Sequence, residues 1–395
     1  MARLPRLHAE TSPIAMSKIN RRQFSNRAAA SLGLALAHPA VSQAASAQRL
    51  KSGAGLPSAG SLTDVPGIKA GHFTHPQRPT GCTMIVMEEG AATGVDFGGS
   101  SHGGQQTILL EPVTSIQSTW GISISGGGAF GMAASWGLIR YLAEHKVGYY
   151  GGAVPLISAA VVYDFGIDGD MTIRPDAEGG YQASQAAAKA APLEEGCVGA
   201  GAGATVGTML ASQGIHGMKG GVGTASVKVG DVVVGALAIA NTAGDIVDWR
   251  NGGIVAGARR ADSKGFIGIA QAVLKNPPKL VRTSVHDIDD PVFQSGVVGV
   301  VATNAPFTKT ELCKIAINAG AGAARTVNPY HTQGDGNTVF AISTNKVKTD
   351  LSLSVIGTLA AEALSMAILR SAMLATSLEN WPSYRDYTAK LRRRA

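Results

Sequence analysis

The run Val232-Val233-Val234-Gly235-Ala236-Leu237-Ala238-Ile239-Ala240-Asn241 carries no charge and places its only polar side chain at its end. A strand with one wet face alternates polar and apolar residues. A run apolar at every position belongs to a strand covered on both faces. Residues 297–304 (VVGVVATN) repeat the pattern and lead into Thr308 with Glu311 three residues on, a capping box that opens a helix. Beyond it, 339–344 reads as a further strand and 351–376 as a long helix. Glu362 and Arg370 interrupt the apolar face of that helix, which marks a core helix and not a membrane span. Upstream, 82–87 and 120–124 are apolar β runs. The triple glycine 126–128 is expected to open a helix reaching Glu144, with Phe130, Ala134, Leu138, Tyr141 and Leu142 as one buried stripe. Doubly covered strands interleaved with helices predict an α/β layered sandwich, helices outside and sheets inside.

Composition agrees with a packed fold. Of 395 residues, 45% are hydrophobic and 15% charged, the reverse of a disordered chain, and 51 glycines suit closely apposed layers. The net charge of +7 does not indicate a nucleic-acid partner. The first 47 residues carry +5 and the last six +4, leaving about −2 for the body and no basic stripe. The basic tail reads as a solvated, frayed terminus. Asn20-Arg21-Arg22-Gln23-Phe24, the apolar stretch 28–37 and Ala45-Ser46-Ala47 have the order of a twin-arginine-type signal peptide with its cleavage site. The expected organisation is a signal peptide over 1–47, a linker over 48–61 and a single domain over 62–395, in a periplasmic or secreted protein. Cys82, Cys197 and Cys313 are too scattered for a disulfide framework or a metal site.

Candidate chemistry collects at strand ends. Ser125-Gly126-Gly127-Gly128 sits between a strand and a helix, where backbone N–H groups can bind an anion or simply permit close packing. The glycine runs 199–207 and 217–223 leave the same two readings open. Among the histidines, His72 and His75 are three apart, His102 stands among glycines and His331 precedes a polar loop. None has metal-ligand spacing, and ordinary roles are expected. No Gly-x-Ser-x-Gly elbow is present. Asn241 ends an apolar strand, Ser295 precedes another, Tyr163 and Asp164 follow a third, and the loop 331–337 contributes Asp335. Such residues act in catalysis or cap turns.

The order of motifs carries more than any one of them. Gly71-His72, Thr80-Gly81-Cys82-Thr83, Gly94-Val95-Asp96, the run from Ile124 to Gly131, Ala160 to Asp164, GAGAGATVG at 199–207, Lys219 to Gly223, Ala240-Asn241, Gly299 to Asn304 and His331 to Phe340 follow one another through the chain. In that order they resemble the family of self-cleaving aminopeptidases that includes L-aminopeptidase/D-esterases and 6-aminohexanoate-oligomer hydrolases. The resemblance implies an αββα sandwich of the N-terminal-nucleophile-hydrolase-like type, related to ornithine acetyltransferases. It implies a precursor that cuts itself to expose a Thr or Ser nucleophile, whose own α-amine is available as base. Asn241 would hold the oxyanion, while Tyr163 and carboxylates of the 333–337 loop would orient the nucleophile. No cofactor is implied, the substrate is a small peptide or amide, and a homo-oligomer is expected.

The sequence departs from that pattern in three places. The family's nucleophile falls on Gly296, which has no hydroxyl, so Ser295 would have to serve, with the junction near 294–296. The lysine of the oligomer hydrolases falls on Thr208. Positions often acidic hold Gln333 and Asn337, leaving Asp335. The stretch 275–294 is expected to be an exposed loop. Three readings follow: a self-processing aminopeptidase or amidohydrolase using Ser295, an uncleaved binding or structural protein, and, on fold analogy alone, an acyltransferase.

Overall fold

The computed structural model describes Leu56 and residues 60–167, 169–262, 264–277 and 295–394. The expected signal peptide, most of the linker and residues 278–294 of the expected exposed loop 275–294 lie outside the described residues.

Among the described residues, nine strands form one continuous sheet. They are β1 (Lys69–Thr74), β2 (Gly81–Phe97), β3 (Gly104–Gln105), β4 (Thr119–Ser125), β5 (Ile157–Val161), β6 (Gly221–Val229), β7 (Val232–Asn241), β8 (Gly296–Thr303) and β9 (Thr338–Ser343). Their order is β3-β5-β4-β2-β9-β8-β7-β6, with β1 on β2. The 17-residue β2 belongs to both halves. Cys82 to Val86 pair with β4, and Ala92 to Phe97 pair with β9. The sheet thereby doubles over into two layers. Ile85, Ile122 and Ile124 from one layer meet Leu237, Ile239, Val298, Val300 and Phe340 from the other in a common inner core.

The outer faces carry helices. α1 (Ala134–Glu144) and α2 (Ala177–Ala188) cover the first layer, where Met84 and Val86 pack on Leu138, Leu142 and Ala183. A short α3 (Ile269–Lys275) lies outside these layers. α4 (Lys309–Thr326) and α5 (Leu353–Met373) cover the second. Strand β7 shows why its sequence is apolar throughout. Ala236, Ala238 and Ala240 face the helices while Leu237 and Ile239 face the inner core. The architecture is the αββα sandwich that the sequence predicts. The capping box forms, with Thr308 N–H donating to Glu311 Oε2 at 2.8 Å. α5 is long and apolar enough to cross a membrane by length and composition. In this fold its apolar side lies against β6 and β7, and its buried Arg370 is paired with Glu195 at 2.8 Å.

Three expectations differ from the structure. The triple glycine opens a 3₁₀ segment (Gly128–Ala133) before α1, because Gly127 and Gly128 adopt φ of +83° and +55°. Phe130 consequently leaves the buried stripe; it is 65% exposed, and the Arg174 guanidinium lies 3.6 Å from its ring centre. The basic tail is not frayed: α6 (Tyr384–Arg394) is helical, and buried Tyr387 donates from its hydroxyl to Gly265 O at 2.7 Å. Apart from these differences, Cys82, Cys197 and Cys313 are all free thiols.

Candidate active site

β8 begins opposite the end of β7, with Gly296 paired directly to Asn241. One residue earlier, Ser295 bridges to the 331–337 loop. Its N–H donates to Gly334 O at 3.2 Å and its carbonyl accepts from Gly336 N–H at 2.6 Å. The hydroxyl donates to Asp335 Oδ1 at 2.6 Å, a charge-assisted bond of the stronger kind. Asp335 is itself fixed, because Oδ2 accepts from Thr332 N–H at 2.8 Å and the side chain is buried. Two residues 40 positions apart thus form one unit, a hydroxyl aimed at a buried carboxylate.

Asn241 forms the second unit. Its Oδ1 accepts from Thr205 N–H at 2.9 Å, and its Nδ2 donates to the Tyr163 carbonyl at 2.8 Å. Tyr163 therefore meets Asn241 through its backbone, while its ring packs edge-on against Phe165. The amide is held rigidly with an N–H available to switch acceptors, as an oxyanion donor must be. Among the described residues the two units share no side-chain hydrogen bond; the Gly296–Asn241 backbone pairing joins them.

Gly296 fits only as glycine here. Its φ is +149°, and a Cβ would lie 2.8 Å from backbone atoms of Gly336. The 331–337 loop packs directly against this position.

Around Ser295 and Asp335 lies a set of groups to which sequence reasoning assigns no catalytic role. Asn337 Oδ1 accepts from Val297 N–H at 2.6 Å, which turns its Nδ2 toward His331 Nδ1 at 3.2 Å. His331 Nδ1 is thereby an acceptor and its Nε2 carries the proton. Burial pushes His331 below its usual range, against the pull of Asp96 and Asp335. Burial raises Asp96, opposed by His331 and Lys314. The Tyr330 hydroxyl is buried without a hydrogen-bond partner among the described residues, and its pKa is driven up by burial and by Asp96 and Asp335. The His331 side chain is itself exposed at the surface. The signal for it is its place in a polar loop before a strand.

The glycine nest holds the chain's own anion. The Gly127 N–H donates to Asp164 Oδ1 at 2.9 Å, and Thr80 Oγ1 donates to Oδ2 at 2.6 Å, with buried Arg78 behind. A Cβ on Gly126 would lie 2.1 Å from Asp164 Oδ2, so glycine serves this internal carboxylate. Thr208 donates only a long bond, 3.4 Å, to Thr242 O. Thr205 and the buried Lys219, neither of them a candidate from sequence, lie behind Asn241. Among the described residues no three His, Cys, Asp or Glu side chains are placed to hold a metal.

The chain matches Peptidase family S58 over residues 60–383. It is 34% identical over 362 residues to an uncharacterized aminopeptidase of Mycobacterium leprae, covering 82% of this chain and 93% of that protein. It is 27% identical over 331 residues to a 6-aminohexanoate-oligomer endohydrolase of Kocuria sp., covering 78% and 85%. The fold is like that of the L-aminopeptidase D-Ala-esterase/amidase of Ochrobactrum anthropi, with a TM-score of 0.57 at 21% identity, covering 86% of this chain and 97% of that one.

Proposed function

The chain belongs to Peptidase family S58 and is a hydrolase, and from that premise we propose that Ser295 is its nucleophile, exposed by self-cleavage between Gln294 and Ser295. The substrates are small amides: short peptides cut behind the N-terminal residue, amino-acid amides or related amide oligomers. The observation that carries this reading is the 2.6 Å bond from Ser295 Oγ to buried Asp335. In processing, Ser295 Oγ attacks the carbonyl carbon of Gln294, the peptide C–N bond breaks as an ester forms and frees the Ser295 α-amine, and water hydrolyses the ester to release the Gln294 carboxylate and restore the Oγ hydroxyl. In turnover, that amine takes the Oγ proton as Oγ attacks the substrate amide. The amine of the leaving product receives the proton, and water then releases the acyl group. Asp335 orients the hydroxyl, and Asn241 Nδ2 exchanges the Tyr163 carbonyl for the oxyanion. The export signal read from the N-terminal sequence favours an activity outside the cytoplasm; an oligomer of this chain as the active form is part of the same proposal.

Intact-mass analysis of purified protein, with Ser295→Ala beside it, tests the reading. Two fragments, the smaller beginning at Ser295, and a single uncleaved chain with no amide turnover in the variant are expected. A variant that still splits or still turns over substrate removes Ser295 as nucleophile. One observation favours a second reading, an uncleaved binding protein: position 296 has no hydroxyl and no room for one. An intact wild-type chain with no hydrolysis across an amide panel would establish that reading instead.

A further inference from the structure

Lys219 is completely buried and makes no ion pair among the described residues. A buried charge without a partner is costly, so its surroundings must hold it. They do so with carbonyls. Nζ donates to Ala204 O at 2.8 Å, Gly220 O at 2.9 Å and Gly201 O at 3.3 Å. Three carbonyl oxygens require three N–H donors, which only the ammonium supplies. Burial works the other way and lowers its pKa, while Cys197 and Asp164 nearby favour the charge. The three carbonyl bonds favour the charged form, which the test below checks directly.

The carbonyl held most closely belongs to the peptide group between Ala204 and Thr205. The N–H of that same peptide group is the one that donates to Asn241 Oδ1 at 2.9 Å. A cation on the oxygen fixes the peptide plane and draws electron density from its nitrogen, which strengthens the N–H as a donor. The polarisation continues through the amide of Asn241, whose Nδ2–H becomes the better donor. We propose that Lys219 is a positioning residue which, through the Ala204–Thr205 peptide, orients and activates the Asn241 amide as oxyanion donor. The role assigned to Asn241 rests on the hydrolase reading above; the Lys219–Asn241 linkage does not.

The test is a double-mutant cycle on the full, processed protein with an amino-acid amide as substrate. Lys219→Met is expected to lower kcat about tenfold with KM within about twofold, a fraction of what deleting an oxyanion donor costs. In an Asn241→Ala background the same change should cost nothing further, because there is no amide left to orient. Equal losses in both backgrounds would show a general structural role and overturn the proposal, as would no loss in either. Should Lys219→Met not fold, NMR of the ¹⁵N-labelled wild type decides. An ammonium signal from Lys219 and a through-hydrogen-bond coupling from the Thr205 amide to the Asn241 side-chain carbonyl carbon support the linkage; a neutral amine or no coupling overturns it. If the wild type hydrolyses nothing, the hydrolase reading fails alone. The linkage is then read from the Asn241 side-chain N–H shift, which must move in Lys219→Met.

Discussion

The substitution Asp335→Asn separates stability from chemistry at the proposed site. Both carboxylate oxygens are acceptors, one for Ser295 Oγ–H at 2.6 Å and one for Thr332 N–H at 2.8 Å. An amide of the same shape has one acceptor and one donor. Facing its NH₂ to the Thr332 N–H would orphan a buried donor at a cost of about 1–3 kcal/mol. Facing it to Ser295 costs less, because a hydroxyl can rotate and accept. The substituted amide will therefore keep its oxygen on the Thr332 N–H and donate from its NH₂ to Ser295. The variant should lose about 1 kcal/mol, roughly 2 °C in Tm for a chain of this size. The reversed bond ties up an Oγ lone pair that must attack and turns the proton away from its acceptor. Removing the orienting carboxylate of a hydroxyl nucleophile costs on the order of 10²–10⁴ in rate. Calorimetry beside processing and amide-hydrolysis rates reads both effects. A folded variant that processes and hydrolyses within about threefold of wild type would refute Asp335 as the orienting group.

The remaining expectations are smaller in scope. Gly296→Ser should not restore a family-like nucleophile; with φ of +149° and a Cβ 2.8 Å from Gly336, it should cost about 1–3 kcal/mol and leave the fragment pattern unchanged, read by denaturation and intact mass. His72, donating from Nε2 to Glu194 O and accepting from Thr83, is pushed down to about 4 by burial, so its contribution is present above pH 6.5 and lost as pH falls toward 4. The stability gap between wild type and His72→Gln should therefore widen by at most about 3 kcal/mol from pH 4 to 7, and a gap that does not change with pH would count against a neutral His72. Asp245, pushed up to about 6 by burial, has the opposite sign: its contribution is complete below pH 3.8 and lost as pH rises through 6. The two offset each other between pH 4 and 6 in the wild type, and the imbalance appears in the variant.

The fold is legible because burial on two faces leaves a signature in one stretch of chain. β7 and β8 admit no polar side chain until Asn241 and Thr303, and the capping box at Thr308 and Glu311 fixes where α4 starts. What escapes depends on backbone conformation or distant contacts. Periodicity puts Phe130 on a buried stripe, but the positive φ of Gly127 and Gly128 breaks the helical period before it. Charge alone makes the tail look frayed, whereas Tyr387 anchors it to Gly265, 122 residues away. In the candidate site, motif order finds Ser295, Asp335, Asn241 and Tyr163, and the structure pairs them two and two. Lys219 and Thr205 act on backbone carbonyls and through a backbone N–H, so no spacing of side-chain types announces them. His331 requires the direction of the Asn337 amide, which a sequence does not contain.

The bonds that hold Ser295 favour the proposed junction between Gln294 and Ser295 over one residue later. Its hydroxyl is tied to Asp335, its carbonyl to Gly336 N–H at 2.6 Å, and its N–H to Gly334 O at 3.2 Å. A break between Gln294 and Ser295 removes none of these: the new α-amine keeps a proton for Gly334, and the carbonyl and hydroxyl are untouched. A break between Ser295 and Gly296 would sever Ser295 from β8, leaving the hydroxyl on the departing fragment and the new N-terminus on a residue with no side chain. It would also place the new amine directly opposite Asn241, the group proposed to receive the oxyanion. A nucleophile one residue before the strand, turned to the loop carboxylate while the strand's first residue faces the amide donor, is the arrangement in which Ser295 keeps both its orienting bond and its own amine. The proposed junction agrees with the closed space at Gly296, where a Cβ would lie 2.8 Å from Gly336 and a glycine lets the 331–337 loop pack against the start of β8.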